Sequence, residues 1–333
     1  MSDRLIGESS QSVNEAGIKM SLSVIIPTRN GGTAFRELLA SLSVQSLQPD
    51  EILVIDSDSE DETVEIAREY GASVLQITRD EFDHGATRTE AARRAGGDIL
   101  IFLTQDVLPA SPDLLEILIR PILKNSGVDL SYARQLPAFN ATGAAAHLRY
   151  FNYPQTTEIR TFADRHQEGI RTVFGSNSCA AYRRSSLAEI GFFEAGLIFG
   201  EDSVAAGKLL ERGGKISYTA DAAVYHSHNY RWNEELRRYF DIGVFHAQCS
   251  WLTETYGGAG RRGTEYIRSG LRYLWSSRSY SMIGDFMVRV GLKFCGYRLG
   301  RMHHLLPVRA ARFLSMNQQW WDKKNTRSSD KDG

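Results

Sequence analysis

Four short apolar runs recur through the first third of the chain: Leu22–Pro27 (LSVIIP), Glu51–Ile55 (EILVI), Ser73–Thr78 (SVLQIT) and Asp98–Leu103 (DILIFL). Stretches of helical periodicity lie between them. In FRELLASLSVQS, Phe35, Leu38, Leu39 and Leu42 share one face; Thr63 to Tyr70 reads as a helix stopped by Gly71, and Glu90 to Ala95 as a third. Strands and helices alternating at this spacing build a parallel sheet with helices on both faces. Ligands of such sheets sit beyond the carboxyl ends of the strands. The polar residues that follow each strand are therefore the informative ones.

The middle of the chain, Gly127 to Asp221, is less regular. A strand is expected at Val128–Ala133, then a loop-rich region to Arg171. The run TVFGSNSCAAYRRSSLAEIGFF follows, then a helix with a glycine stop in GEDSVAAGKLLERGG and a strand pair in KISYTADAAVYHSH. From Trp232 the pattern is helical. Residues 1–20 are polar and Ser-rich without the apolar core of a signal peptide, and read as a flexible tail. No apolar run reaches the ~18 residues of a membrane span. Cys179, Cys249 and Cys295 form neither a metal pattern nor a disulfide framework, which fits a reducing cytoplasm. From Tyr230 onward the chain holds 18 of its 39 Lys and Arg but only 9 of its 40 Asp and Glu. A basic end of this kind suits an anionic surface, lipid headgroups or nucleic acid, or is simply a solvated helix.

Four strand ends present polar groups: Thr28-Arg29-Asn30, Asp56-Ser57-Asp58, Thr104-Gln105-Asp106 and His226-Ser227-His228. Each alone has an ordinary explanation. Asp56 and Asp58 are helix-capping residue types ahead of Thr63, Asp106 can open a turn before Pro109, and a histidine at a strand end is commonly structural. Four on one sheet edge point to a site. The first strand–helix turn, TRNGG, has adjacent glycines instead of G-x-G-x-x-G, and no Walker A sequence is present, which argues against nicotinamide and P-loop enzymes. A nucleotide here needs side chains: a carboxylate for base or ribose, and a metal to screen the diphosphate.

VIIPTRN, VIDSDSEDET and GEDSVAAGKLLERGG occur in the order and spacing of the inverting glycosyltransferases of family 2, which the chain closely resembles over roughly residues 22–230. The resemblance implies an α/β GT-A fold: a single, mostly parallel, mixed sheet flanked by helices over residues 21–230, with a helical basic extension over 231–333. The nucleotide-sugar half would run to about residue 108 and the acceptor half over 109–230. Pro27, Thr28, Arg29 and Asn30 then line the donor. Asp56 takes the place of the base-binding aspartate, but Ser57 and Asp58 depart from the family's D-D-G, so the role stays open between Asp56 and Asp58.

EFDHGATRTEAARRAGGDILIFLTQDVLP and VYHSHNY are similar to the bacterial rhamnosyltransferases of that family, which carry F-x-H-G-x-T-R and have T-Q-D where most relatives have D-x-D. The resemblance implies dTDP-β-L-rhamnose as donor and an α-L-rhamnoside as product. His84, Gly85 and Arg88 would contact phosphate or sugar, with Thr104 and Gln105 beside them. Asp106 and His226 would hold a divalent cation, Mg²⁺ or Mn²⁺. Asp202 would be the general base, Glu201 would orient the acceptor, and Gly175 to Ser178 would form a loop near donor or acceptor. The acceptor class is a glycan or lipid-linked saccharide of surface polysaccharide synthesis, with no nucleic-acid partner. The alternatives are a UDP- or GDP-sugar donor, a nucleotidyltransferase, which the poor loop TRNGGTAF argues against, and a non-catalytic nucleotide-sugar-binding relative, which Glu201-Asp202 and His226 argue against. In SMIGDFMVRVGLKFCGYRLGR, Ile283, Phe286, Met287, Val290, Phe294 and Tyr297 share one face, and Arg289, Lys293, Arg298 and Arg301 cover the rest. That pattern suits a helix lying on the inner face of the plasma membrane, or one packed on the catalytic domain or a homodimer partner.

Overall fold

The protein is described by a computed structural model that covers residues 17–258 and 260–329. The tail expected over residues 1–20 lies mostly outside the described residues. In chain order the strands are β1 (Leu22–Thr28), β2 (Glu51–Ser57), β3 (Ser73–Ile77), β4 (Ile99–Leu103), β5 (Leu108–Pro109), β6 (Val128–Leu136), β7 (Glu158–Arg160), β8 (Cys179–Arg183) and β9 (Lys215–Tyr225). They form one sheet in the order β3-β2-β1-β4-β8-β6-β9-β5, with β7 added on β9. β1 to β4 pair in parallel, β8 is antiparallel to both β4 and β6, and β9 runs parallel to β6. The sheet is thus mostly parallel and mixed, as expected.

The helices of the first half are α1 (Gly32–Ser43), α2 (Thr63–Glu69), α3 (His84–Arg94) and α4 (Leu114–Lys124). Next come α5 (Gly143–Asn152), α6 (Arg165–Glu168), α7 (Arg184–Glu189) and α8 (Glu201–Glu211). The last third holds α9 (Trp232–Gln248), α10 (Ser250–Tyr256), α11 (Gly260–Ser276), α12 (Ile283–Arg301), α13 (Val308–Leu314) and α14 (Gln318–Ser329). The sheet is buried on both faces, and the alternation of its strands divides the core in two. Val24, Val54, Ile99, Ile101 and Leu103 pack with Phe35, Leu38 and Leu42 of α1 and with α4. Ile25, Ile55, Leu100 and Phe102 face the other way, onto α3, α8 and α9.

The structure alters four sequence expectations. α3 begins at His84, not Glu90, because Asp83 accepts the Gly85 and Ala86 N–H groups and caps the helix early. The region expected as loop before Arg171 contains α5 and β7. KISYTADAAVY is one strand and not a pair: its register against β6 jumps from Ala133↔Thr219 to Arg134↔Ala223, so a bulge within a single strand stands where two strands were expected. On α12 the buried residues are Phe286, Lys293, Gly296 and Gly300, whereas Met287 and Phe294 are exposed, so the expected apolar face is split between protein and solvent. The cause is small-residue packing. A Cβ added at Gly300 would collide with the Phe240 carbonyl, and one at Gly296 with that of Leu236, so α12 lies directly on α9. Among the described residues no helix is long and apolar enough to cross a membrane.

Gly300→Ala should therefore cost ~1–3 kcal/mol through overpacking. Gly291→Ala on the open side of α12, where nothing lies within 4 Å of an added Cβ, should instead gain ~0.5–1 kcal/mol. Urea denaturation of the two variants checks the sign of both.

Candidate active site

The carboxyl ends of β1, β2, β4, β6 and β9 lie on one sheet edge, and the antiparallel β8 begins there. The loop before β8, Ser176-Asn177-Ser178, therefore joins the strand-end residues expected from sequence. At the first turn the polar groups bind one another. Asp56 is fully buried. Its carboxylate accepts from the Thr28 hydroxyl (3.1 Å), the Ser59 N–H (3.0 Å) and the Ser59 hydroxyl. Gln105 clasps the Arg29 backbone from both sides: its Oε1 accepts from Arg29 N (2.7 Å) and its Nε2 donates to Arg29 O (2.9 Å). Asn30, in the left-handed region (φ 47°), donates its N–H to Ser59 Oγ and accepts from Glu60 N. Pro27 is half-buried in β1, opposite Ile55. Asp58 (φ 61°) is exposed and is the freer carboxylate of the pair.

Asp106 stands across the edge from the segment after β9. Its Oδ2 lies 3.4 Å from His226 Nε2 and 3.9 Å from His228 Nε2. Ligand atoms of all three residues fall within 4.8 Å of one another. His226 Nδ1 faces Gln135 Oε1 at 3.1 Å, and Gln135 Nε2 donates to Ser176 Oγ. With Nδ1 engaged by Gln135, His226 turns its Nε2 toward Asp106. Burial, reinforced by His226, lowers the His228 pKa to about 4, so that ring is neutral at pH 7. It is oriented by stacking on Tyr230. Burial alone would raise the Asp106 pKa, but the imidazole of His226 outweighs it and keeps the carboxyl well below its ordinary range. One carboxylate and two imidazoles whose ligand atoms converge within 4.8 Å fit a divalent cation. His228 is not among the residues assigned from sequence, although H-x-H in an extended segment puts both rings on one side.

Glu201 and Asp202 open α8 behind Gly200, which is left-handed (φ 88°) where a side chain would strike the Phe245 ring. The motif expected to contact phosphate, HGATR, faces this pair instead. Arg88 Nη1 lies 3.3 Å from Glu201 Oε1, and both side chains are almost fully buried. Gly85 touches the Glu194 backbone so closely that no side chain fits. Asp83 accepts from Gly196 N (2.9 Å), and Thr89 hydrogen-bonds both backbone groups of Phe193. The α3 motif thus clamps the segment leading into α8. Asn177 completes the arrangement: its side-chain Nδ2 donates to Glu201 and its backbone N–H to Asp202 (3.3 Å), while Tyr182 OH donates to its side-chain Oδ1 (2.8 Å). Burial would raise the Glu201 pKa, but Arg88 and His84 outweigh it, so Glu201 is ionised. Burial, then the Glu201 charge, push Asp202 up to about 6. The burial of His84 lowers its pKa. Two cations not assigned from sequence act on the segment after β9. Arg149 of α5 and Arg238 of α9 both act on His228 and Tyr230. Neither belongs to a local motif; only the helix packing brings them here.

The family model described as Glycosyl transferase family 2 matches residues 23–191. The O-antigen chain rhamnosyltransferase RfbN of Salmonella typhimurium is 38% identical over 312 residues, covering 93% of this chain and 99% of the relative. WbaN of Salmonella anatum, with the same description, is 38% identical over 93% of this chain and 98% of its own length. The chain belongs to glycosyl transferase family 2 and is a glycosyltransferase. Two solved structures share its fold. A mannosyltransferase from Pyrobaculum calidifontis, in complex with GDP-Man and Mn²⁺, superposes with a TM-score of 0.56 at 16% identity, covering 97% of this chain and 91% of that one. Residues 1–349 of TarS from S. aureus superpose with a TM-score of 0.51 at 19% identity, covering 93% and 92%.

Replacing Arg88 by Met should cost ~3–5 kcal/mol, because it leaves Glu201 buried and ionised without a partner. Arg88→Met combined with Glu201→Gln should recover more than half of that loss in a denaturation experiment. Additive losses would show that the two side chains do not depend on each other.

Proposed function

We propose that the chain transfers L-rhamnose from dTDP-β-L-rhamnose to a glycan or lipid-linked saccharide, with inversion at the anomeric carbon. The observation that carries this reading is the 38% identity to O-antigen chain rhamnosyltransferases across 93% of the chain. The T-Q-D and H-G-x-T-R sequences at the site support it.

Asp106, His226 and His228 would hold a divalent cation. When bound, Mg²⁺ or Mn²⁺ acts as a Lewis acid on the diphosphate leaving group. Two imidazoles beside one carboxylate favour Mn²⁺ over Mg²⁺, which prefers oxygen ligands alone. The Mn²⁺ complex of the Pyrobaculum calidifontis mannosyltransferase is in keeping with that choice. Arg149 and Arg238, whose charge reaches His228 and Tyr230, would neutralise phosphate oxygens. Asp58, on the open side of its loop, reaches the nucleoside, while Asp56 holds the loop in shape.

Asp202 takes the proton of the acceptor hydroxyl as that oxygen bonds to the anomeric carbon and the bond to the diphosphate oxygen breaks. A carboxylate raised to about 6 is ionised at pH 7 and more basic than an ordinary aspartate, which suits a general base. Glu201 is committed to Arg88 and Asn177, so it positions Asp202 and tunes its basicity.

Three measurements test the reading. Asp202→Asn should abolish transfer while leaving dTDP affinity near that of the wild type; surviving turnover would place the base elsewhere. The base must be unprotonated, so kcat/KM should fall about tenfold per unit as pH drops below about 6. An acid limb at the position of an ordinary aspartate would contradict that. In a thermal-shift panel with Mn²⁺, dTDP-rhamnose should stabilise the protein more than UDP- or GDP-sugars, and the reverse order would make one of those the donor.

A further inference from the structure

From Phe286 to Trp321 the chain contains no Asp or Glu but six Lys or Arg. Arg289 and Arg312 pair with the acids that bound this stretch, Asp285 and Asp322, and Lys293 is buried against Glu235. Arg298 and Arg309 are exposed. The same stretch leaves large apolar side chains in solvent. On α12 and the residue that ends it, Met287, Val288, Phe294, Leu299 and Met302 are exposed, Phe294 by 66%. At 3.6 residues per turn these five and Arg298 fall on one continuous side of the helix. The opposite side is occupied by the glycine contact with α9. Leu305 and Val308 continue the exposed apolar surface through the turn into α13.

We propose that this outer face of α12, with the turn that follows it, docks the protein on an anionic lipid bilayer. An exposed strip of this size and chemistry marks an interaction surface. Its charge selects the occupant. A second copy meeting it across a two-fold axis would set arginine against arginine with no acid on the strip to answer it. A bilayer offers both complements: acyl chains for Met287, Phe294 and Leu299, and lipid phosphates for Arg298 and Arg309. The aliphatic stems of arginine allow the apolar part to sink while the guanidinium stays at the headgroups. The strip is also braced to the site. Asp285 accepts from Trp232 Nε1 (2.7 Å), and Arg289 donates to the Tyr230 carbonyl (2.7 Å), two residues from His228. Docking through α12 therefore holds the strand-end edge at a fixed distance from the membrane, where a lipid-linked acceptor would be presented. Neither the exposed strip nor its charge depends on the sugar or donor assigned above.

Flotation of the full chain with vesicles tests the proposal. With phosphatidylcholine containing about one-third phosphatidylglycerol the protein should float, and it should remain at the bottom with phosphatidylcholine alone or in high salt. Met287→Glu with Phe294→Glu should lower partitioning at least tenfold, roughly the loss expected when one large apolar contact is removed. Arg298→Glu with Arg309→Glu, which leaves every apolar contact in place, should lower it as well and serves if the first variant fails to fold. Wild-type protein that ignores anionic vesicles overturns the proposal, and so does a correctly folded double variant of either kind that floats like wild type. A concentration-dependent dimer in light scattering, lost in the same variants while no vesicle binding occurs, would make a second copy the occupant and overturn it too.

Discussion

The buried ion pair between Arg88 and Glu201 determines how the rest of the site is placed. Taking two charges out of water costs several kcal/mol per ion, and attraction across 3.3 Å only offsets that loss when the geometry is held. The pair is therefore a poor source of stability and a strong constraint on position. It fixes the N-terminal half of α3 against the first turn of α8. Gly85, Asp83 and Thr89 extend the same contact along the segment 193–196. Asp202 is then carried at a set place on the sheet edge, beside a carboxylate whose charge raises its proton affinity.

The remaining strand ends follow the same rule: a polar group is kept where another polar group answers it. Asp56 is buried because three donors of its own loops converge on it. Gln105 is retained in T-Q-D because its amide satisfies both backbone groups of Arg29. Asp106 differs. What it faces is two imidazoles, one of them held by Gln135, a donor set that a cation would complete. The side chains that the sequence groups together thus divide into those that build the edge and those that leave it open to a ligand.

Much of this is legible in the sequence, and the physical reason is periodicity. LSVIIP, EILVI and DILIFL are apolar apart from Ser23 and the leading Glu51 and Asp98, which suits strands covered on both faces, and their ends mark the site edge directly. Asp106, His226, Glu201 and Asp202 can be named because each lies within a few residues of an element boundary. What cannot be read depends on contacts distant in sequence. Arg88 reads as a surface phosphate ligand until the fold brings Glu201 to it, more than a hundred positions later. Arg149 and Arg238 have no motif, whereas His228, two positions from His226, is within reach of the H-x-H spacing. The apolar face of α12 misleads because periodicity reports which residues share a side, whereas Gly296 and Gly300 decide which side is buried.

The claim that everything here converges on is that Asp106, His226 and His228 form the cation site of the donor pocket. Crystals of the full chain grown with Mn²⁺ and dTDP, measured at the manganese absorption edge, address it directly. The account predicts an anomalous peak within coordination distance of Asp106 Oδ2, His226 Nε2 and His228 Nε2, bridged to the diphosphate. A peak held by other side chains, or bound dTDP with no manganese at those three residues, would contradict it.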